Sequence, residues 1–159
     1  MRLGVVSDTH GDVYLTRQVA RVFEAAEVDA VLHCGDIGTP EVVQLFDPWP
    51  AHFVLGNVDR EAVLRPAIEA SGKVCHGRFA ALEWEGRHIA LLHGDDGRRL
   101  AQAVRREGWD LVCHGHTHTA ALVQEGDTLV LNPGALVRTH RPSVALVDLP
   151  SLRVTPTGL

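Results

Sequence analysis

Aromatic residues are scarce, 5% of 159 positions, and no apolar run is long enough to cross a bilayer. Nor does the chain open on the basic-then-apolar pattern of a secretory signal, since Met1-Arg2-Leu3 leads straight into Gly4-Val5-Val6. A cytoplasmic location without membrane association is expected. Runs of like charge are absent as well, and the net charge is -5, so no nucleic-acid-binding surface is expected. Any site that attracts phosphate must then be local. The cysteines, Cys34, Cys75 and Cys113, are three, an odd set that predicts reduced thiols rather than a disulfide framework. Cys34 and Cys113 read as small buried residues at strand ends. The length suits one domain over 1–159, burying about two thirds of its unfolded surface, with no internal repeat or linker.

What the chain does have is donors. Asp8-Thr9-His10 and His114-Gly115-His116-Thr117-His118 place carboxylate and imidazole groups at alternate positions, a spacing that on extended chain or a tight loop aims two side chains at one cation. Between them stand Gly35-Asp36, Gly56-Asn57-Val58-Asp59 and His93-Gly94, and each cluster follows a run of apolar residues. In an α/β sheet, strand ends are where distant parts of the chain converge and where ligands bind. The economical reading is a two-metal site.

The apolar pattern predicts strands at 2–7, Ala30–His33 and His52–Leu55, alternating with helices at Tyr14–Glu27, Pro40–Phe46 and Glu61–Ala70. Asp12 is placed to cap the first helix, and Pro40 starts the second. This βαβαβ run implies a parallel sheet. Beyond Lys73 the pattern shortens into strands at Phe79–Trp84, Arg87–Leu92, Trp109–Cys113, Ala120–Gln124, Thr128–Leu131 and Ser143–Val147, interrupted by a helix at Gly97–Glu107. Glu85-Gly86 and Gly126-Asp127 read as hairpin turns, so this half predicts an antiparallel or mixed sheet. The continuous apolar stretches Ala90-Leu91-Leu92 and Val144-Ala145-Leu146-Val147 suit strands buried on both faces, which requires the two sheets to stack.

Carboxylate, amide and imidazole donors together suit Mn, Fe, Co, Ni or Zn better than Ca or Mg. Asp36, midway along the set, could bridge two such ions. A water shared between them would lose a proton near neutral pH and attack a phosphate ester in line. With two aspartates and a hydroxide against two divalent ions, a slight positive surplus remains for an anionic substrate.

The ordered pattern D-x-H, G-D, G-N-x-D, H and G-H-x-H resembles the calcineurin-like metallophosphoesterases, and specifically their small bacterial and archaeal phosphodiesterase branch, over nearly the whole chain. The resemblance implies an α/β four-layer αββα sandwich, two mixed sheets flanked by helices. It implies two divalent transition-metal ions, Mn2+ favoured, one held by Asp8, His10 and His118, the other by Asn57, His93 and His116, with Asp36 between them. Asp36, Asn57 and His116 would also carry catalysis. The implied activity is hydrolysis of small phosphodiesters by a metal-bridging hydroxide, in a protein that could form a homo-oligomer. The alternative is a non-catalytic metal-binding scaffold, resembling the retromer subunit of the same fold.

Two positions depart from the family. Phosphatase branches carry His after the G-N pair, where this chain has Val58, and relatives usually have a second His after the His93-Gly94 block, where this chain has Asp95. Neither Val58 nor Asp95 suits a leaving-group acid, and Asp95 reads as a water-orienting or solvated residue. Asp12, Asp59, Asp95 and Asp96 are expected to add negative field around the site. His33, His52, His76, His88 and His140 read as strand-end or surface residues, and His114 as a core or supporting one. Asn132-Pro133-Gly134 resembles the family's C-terminal turn and fits a structural turn or a substrate contact equally.

Overall fold

A computed structural model of the chain describes residues 1–106 and 108–159. Alternation along the strands sets the architecture. In β1 (Arg2–Val6), Leu3 and Val5 join one apolar cluster while Val6 joins another. In β2 (Ala30–His33), Ala30 and Leu32 separate from Val31 in the same way. The second sheet repeats the rule: Ile89 and Leu91 of β6 (Arg87–Leu92), and Leu111 and Cys113 of β7 (Leu111–Cys113), face the shared cluster, while Ala90, Leu92 and Val112 belong to a third. A period of two on a strand buried on both sides feeds two cores at once.

The first sheet has the order β11-β10-β1-β2-β3-β4, completed by β3 (Ala51–Phe53), β4 (Val74–Cys75), β10 (Ser143–Asp148) and β11 (Arg153–Gly158). Strands β1 to β4 run parallel, whereas β10 and β11 pair antiparallel. The second sheet has the order β5-β6-β7-β9-β8, with β5 (Phe79–Trp84), β8 (Ala121–Glu125) and β9 (Thr128–Asn132). It is mixed, since β6, β7 and β9 are parallel and the two hairpins antiparallel. The turn joining β5 and β6 puts Glu85 and Gly86 at φ 51° and 71°, the backbone of a two-residue hairpin.

Helices α1 (Val13–Ala25), α2 (Pro40–Gln44) and α3 (Glu61–Ala70) cover the outer face of the first sheet, burying Val19, Phe23, Val42, Val43, Leu64 and Ile68. Each such side chain contributes about 1.5–3 kcal/mol. Helix α4 (Gly97–Arg105) covers the second sheet through Ala103, with Leu100 and Val104 packed alongside. The result is the expected αββα sandwich. Two differences are informative: β4 and β11 lie outside the expected strands, and β3 and β7 are shorter than their apolar runs. The expected end of α4 at Glu107 lies outside the described residues.

One buried polar group ties the loops behind the strand ends. His33, fully buried, accepts from Gly35 N at Nδ1 (3.2 Å), while Thr9 Oγ1 donates to Ile37 O (2.9 Å) and so receives the Nε2–H of His33 (3.0 Å). A second proton would set Nδ1–H against the Gly35 N–H. Burial accordingly pushes the His33 pKa down to about 3, with His93 adding to the effect. The unfolded chain takes up that proton near 6.5, so stability present at neutral pH is lost as pH falls from about 6.5 toward 3, at up to about 1.4 kcal/mol per unit. In denaturant melts at pH 7 and pH 5, the natural chain should lose roughly 2 kcal/mol more than His33→Gln. Equal losses would show that the ring is not held neutral.

Candidate metal centre

All seven expected donors stand just beyond the C-terminal ends of parallel strands: Asp8 and His10 after β1, Asp36 after β2, Asn57 after β3, His93 after β6, and His116 and His118 after β7. Backbone hydrogen bonds cross between these loops, from Asp8 N to Gly35 O (3.0 Å), His10 N to Asp36 O (2.9 Å) and Gly115 N to His93 O (2.9 Å). Five of the seven adopt the left-handed backbone that side chains with a Cβ avoid: Asp8, His10, Asp36, His116 and His118, at φ 45° to 68°. Such strain persists only where the surroundings impose it, and it gathers at functional sites.

The donor atoms meet in two overlapping groups, Asp8 with His10 and His118, and Asp8 with Asp36 and His93, each within 4.8 Å. Asp8 is common to both groups, and Asp36 of the second reaches the first as well, its Oδ2 lying 3.3 Å from His93 Nε2 and 3.6 Å from His10 Nε2. His118 and His93 direct Nδ1–H to the carbonyls of Val137 (3.0 Å) and Cys34 (2.9 Å), which leaves each Nε2 as a lone pair. Acceptor therefore faces acceptor: His118 Nε2 is 3.1 Å from Asp8 Oδ1 and 3.3 Å from His10 Nε2, and His93 Nε2 is 3.1 Å from Asn57 Oδ1. Asp8 Oδ1 is buried without a hydrogen-bond partner among the described residues. Only extra protons or a cation relieve such a cluster, and the donor chemistry fits a divalent transition metal.

Electrostatics agree with that crowding. Burial disfavours the charged form of His93, but Asp36 more than offsets it and raises its pKa. Burial also works against ionised Asp36, and the hydrogen bond and charge of His93 overcome it to lower the pKa. For His10, burial outweighs Asp36 and Asp8, and the pKa falls.

Supporting residues hold these donors; Ser7 gives no signal in the sequence, and Asp59 and Asn132 stand out there without this role. Ser7 Oγ donates to Asp8 Oδ2 at 2.6 Å and His116 N donates to the same oxygen at 3.0 Å, which turns Oδ1 toward the site. Asp59 accepts from Ile37 N (3.1 Å), Gly38 N (3.0 Å) and Gly56 N (2.8 Å), pinning two donor loops together. Asn132 donates to Gly115 O (2.9 Å) and Thr117 Oγ1 (3.0 Å), so the end of β9 holds the His116 loop. Glycine is required where the loops touch. A Cβ on Gly56 would sit 1.9 Å from Asp36 Oδ1, and one on Gly115 1.8 Å from Ser7 Oγ.

Residues 1–151 match the calcineurin-like phosphoesterase superfamily domain. This chain belongs to the calcineurin-like phosphoesterases. Among curated relatives, phosphodiesterase MJ0936 of Methanocaldococcus jannaschii is 28% identical over 154 residues, 93% of each chain. The solved structure of an archaeal phosphodiesterase superposes with TM-score 0.93 at 26% identity, covering 100% of both chains. Vps29 of Entamoeba histolytica in complex with Zn2+ shares the fold, with TM-score 0.67, 19% identity and coverage of 100% and 98%.

Within this calcineurin-like site, two expected donors stand apart from the tight groups. His116 is exposed, its ring 5.2 Å from that of His93, and Asn57 is exposed with only its oxygen drawn toward His93. Val58, 50% exposed, donates its backbone N–H to Asp36 Oδ1 at 3.2 Å. Asp95, expected as a water-orienting or solvated residue, is part-buried and paired with Arg78, which lowers its pKa against the opposing effect of burial. The expected negative field is also reduced. Asp12 caps α1 through Leu15 N, Asp96 caps α4 through Arg98 N and Arg99 N, and Asp59 is spent on backbone amides. His114 is part-buried, with its pKa lowered chiefly by burial, and Nδ1–H donates to Gly115 O. His52 and His76 stack 5.1 Å apart on β3 and just after β4, away from the donors.

No helix among the described residues is long and apolar enough to cross a membrane.

Proposed function

We propose that the chain is a phosphodiesterase of small phosphodiesters that works with two divalent transition-metal ions, Mn2+ foremost. The observation that carries this reading is the convergence of unprotonated acceptors around Asp36 Oδ2 and the partnerless Asp8 Oδ1. Asp8, His10 and His118 would hold one ion, Asn57, His93 and His116 the other, and Asp36 both. When bound, such ions supply Lewis-acid charge to phosphoryl oxygens and make water a nucleophile near neutral pH. The chain's own residues do the rest. Ser7, Asp59 and Asn132 hold the donor loops in register, and the carbonyls of Cys34 and Val137 fix the His93 and His118 tautomers.

The diester preference is supported by the relatives named phosphodiesterase and by the charges at hand. With two divalent ions bound, Asp8, Asp36 and a hydroxide would leave a small cationic surplus, enough for one negative charge. The arginine beside His93, Arg78, is already committed to Asp95 and to Leu55 O. Arg78 is therefore not free to take the second charge of a monoester. Reconstituted protein should carry near two equivalents of metal by elemental analysis and hydrolyse bis-nitrophenyl phosphate faster than nitrophenyl phosphate. A clear preference for the monoester would reject the diester reading, and two bound metals without any ester hydrolysis would favour the scaffold.

A further inference from the structure

His93 opens into a cleft of about 80 Å³ lined also by Arg78, Asp95, Asp96 and Arg99. Arg99 forms the wall of a second, neighbouring cleft of about 250 Å³, which continues along α4 past Gln102 to Arg106, with Phe79 and Trp109 in its lining. Arg99, Gln102 and Arg106 follow the i, i+3, i+7 spacing of one helical stripe. At 1.5 Å per residue the two guanidinium-bearing positions are separated by about 10 Å along the axis. Each guanidinium lies over a ring: Arg99 Cζ is 5.5 Å from the Phe79 centroid and Arg106 Cζ 5.6 Å from that of Trp109. The two rings meet edge-on at 6.0 Å. Stacking on aromatic faces restrains arginine's fork and lowers the entropy lost when it binds a phosphate.

The two carboxylates that share the His93 cleft are already engaged. Asp95 is paired with Arg78, and Asp96 is engaged as the N-cap of α4. Neither Arg99 nor Arg106 forms an ion pair among the described residues. Past Arg106 the surface is lined by Glu125 and Asp127, which ends the positive strip. A short cationic groove thus leads away from one candidate metal ligand, despite a net charge of -5 for the chain.

We propose that this groove binds a second phosphate of the substrate, so that the preferred phosphodiester is one link of an anionic chain such as a short single-stranded oligonucleotide. The proposal rests on the phosphodiesterase reading for the link that is cut, but binding in the groove is independent of turnover. The stacked arginines take the non-reacting phosphates, and Gln102 adds amide donors between them. This also revises the expectation that nucleic acid has no surface here, which rested on overall charge.

The test is fluorescence anisotropy with a labelled oligothymidylate hexamer, run against unlabelled tripolyphosphate and an uncharged methylphosphonate hexamer. The natural protein should bind the hexamer and not the methylphosphonate. Arg99→Ala/Arg106→Ala should weaken binding at least about tenfold and lower the salt slope by about 1.4, two single-strand phosphate contacts at about 0.7 each. Arg98→Ala/Arg105→Ala, which removes the same charge from α4 outside the stripe, should bind as the natural protein does. Displacement by tripolyphosphate would identify the groove as specific for phosphate chains in general, whereas displacement only by oligonucleotide would assign it to nucleic acid; both keep the second-phosphate site. Equal weakening by both double variants, or binding of the methylphosphonate, would overturn it. Turnover of bis-nitrophenyl phosphate should be unchanged in Arg98→Ala/Arg105→Ala. If that ester is not cleaved by any form while the hexamer still binds through the stripe, the catalytic reading fails and the groove stands.

Discussion

Asp36→Asn should lose both metal equivalents together and lower phosphodiester turnover by more than about a hundredfold, the upper range for partners that merely support a ligand. The geometry leaves little room for a milder outcome. Asp36 Oδ2 is the oxygen that lies within 3.6 Å of His10 Nε2 and 3.3 Å of His93 Nε2, so one charge serves both donor groups. An asparagine can keep the contact to Val58 N and fill the same volume, which confines the change to charge. Folding should therefore be little altered, and the measurement is metal content by elemental analysis with thermal unfolding as the control. Retention of one full equivalent would show that Asp36 belongs to a single ion.

The donor blocks were legible because chemistry and topology coincide: each follows an apolar run, and parallel strands bring their ends to one edge. The layers were legible for a related reason, since β2 and β6 are apolar at consecutive positions and can be so only between two cores. Edge elements were not. β11 contains Pro156 and alternates with exposed polar residues, a pattern that argues against a strand except at a sheet edge. β4 is two residues long and draws its register from β3 rather than from its own pattern. Residues acting through backbone atoms were equally hidden. Asp59 reads as one more acid near a metal site, and only the approach of the Gly38 and Gly56 amides turns it into a brace. Asp95 reads as water-orienting or solvated from its place after His93-Gly94, while its partner Arg78 arrives from the turn before β5, 17 positions earlier. The arginine stripe escapes a reading of charge along the chain. Folding places Phe79 and Trp109 under arginines of α4, which composition cannot register.

Turnover in the natural protein should depend steeply on the acidity of the leaving group, and Val58→His should relieve that dependence. The three groups at or beside the family's acid positions are poor acids. Val58 has no proton to give, Asp95 is held ionised by Arg78, and the His114 pKa is lowered by burial, so each is a poor acid at neutral pH. Without a positioned acid the departing oxygen leaves largely as an anion, and aryl diesters should be cleaved far faster than alkyl ones. Position 58 can accept an imidazole at little structural cost: it is 50% exposed, and its contact with Asp36 is made by the backbone N–H, which the substitution keeps. General acid catalysis is typically worth about a hundredfold or more, so Val58→His should gain up to about that factor on alkyl leaving groups and much less on nitrophenyl esters. The gain should fade as pH rises above the pKa of the new imidazole, a profile that improved substrate binding alone would not produce. A series of substituted phenyl diesters measured on both proteins decides it. A flat dependence in the natural chain would mean that another group delivers the proton, and a uniform gain across the series would mean that the introduced imidazole binds phosphate without protonating the leaving group.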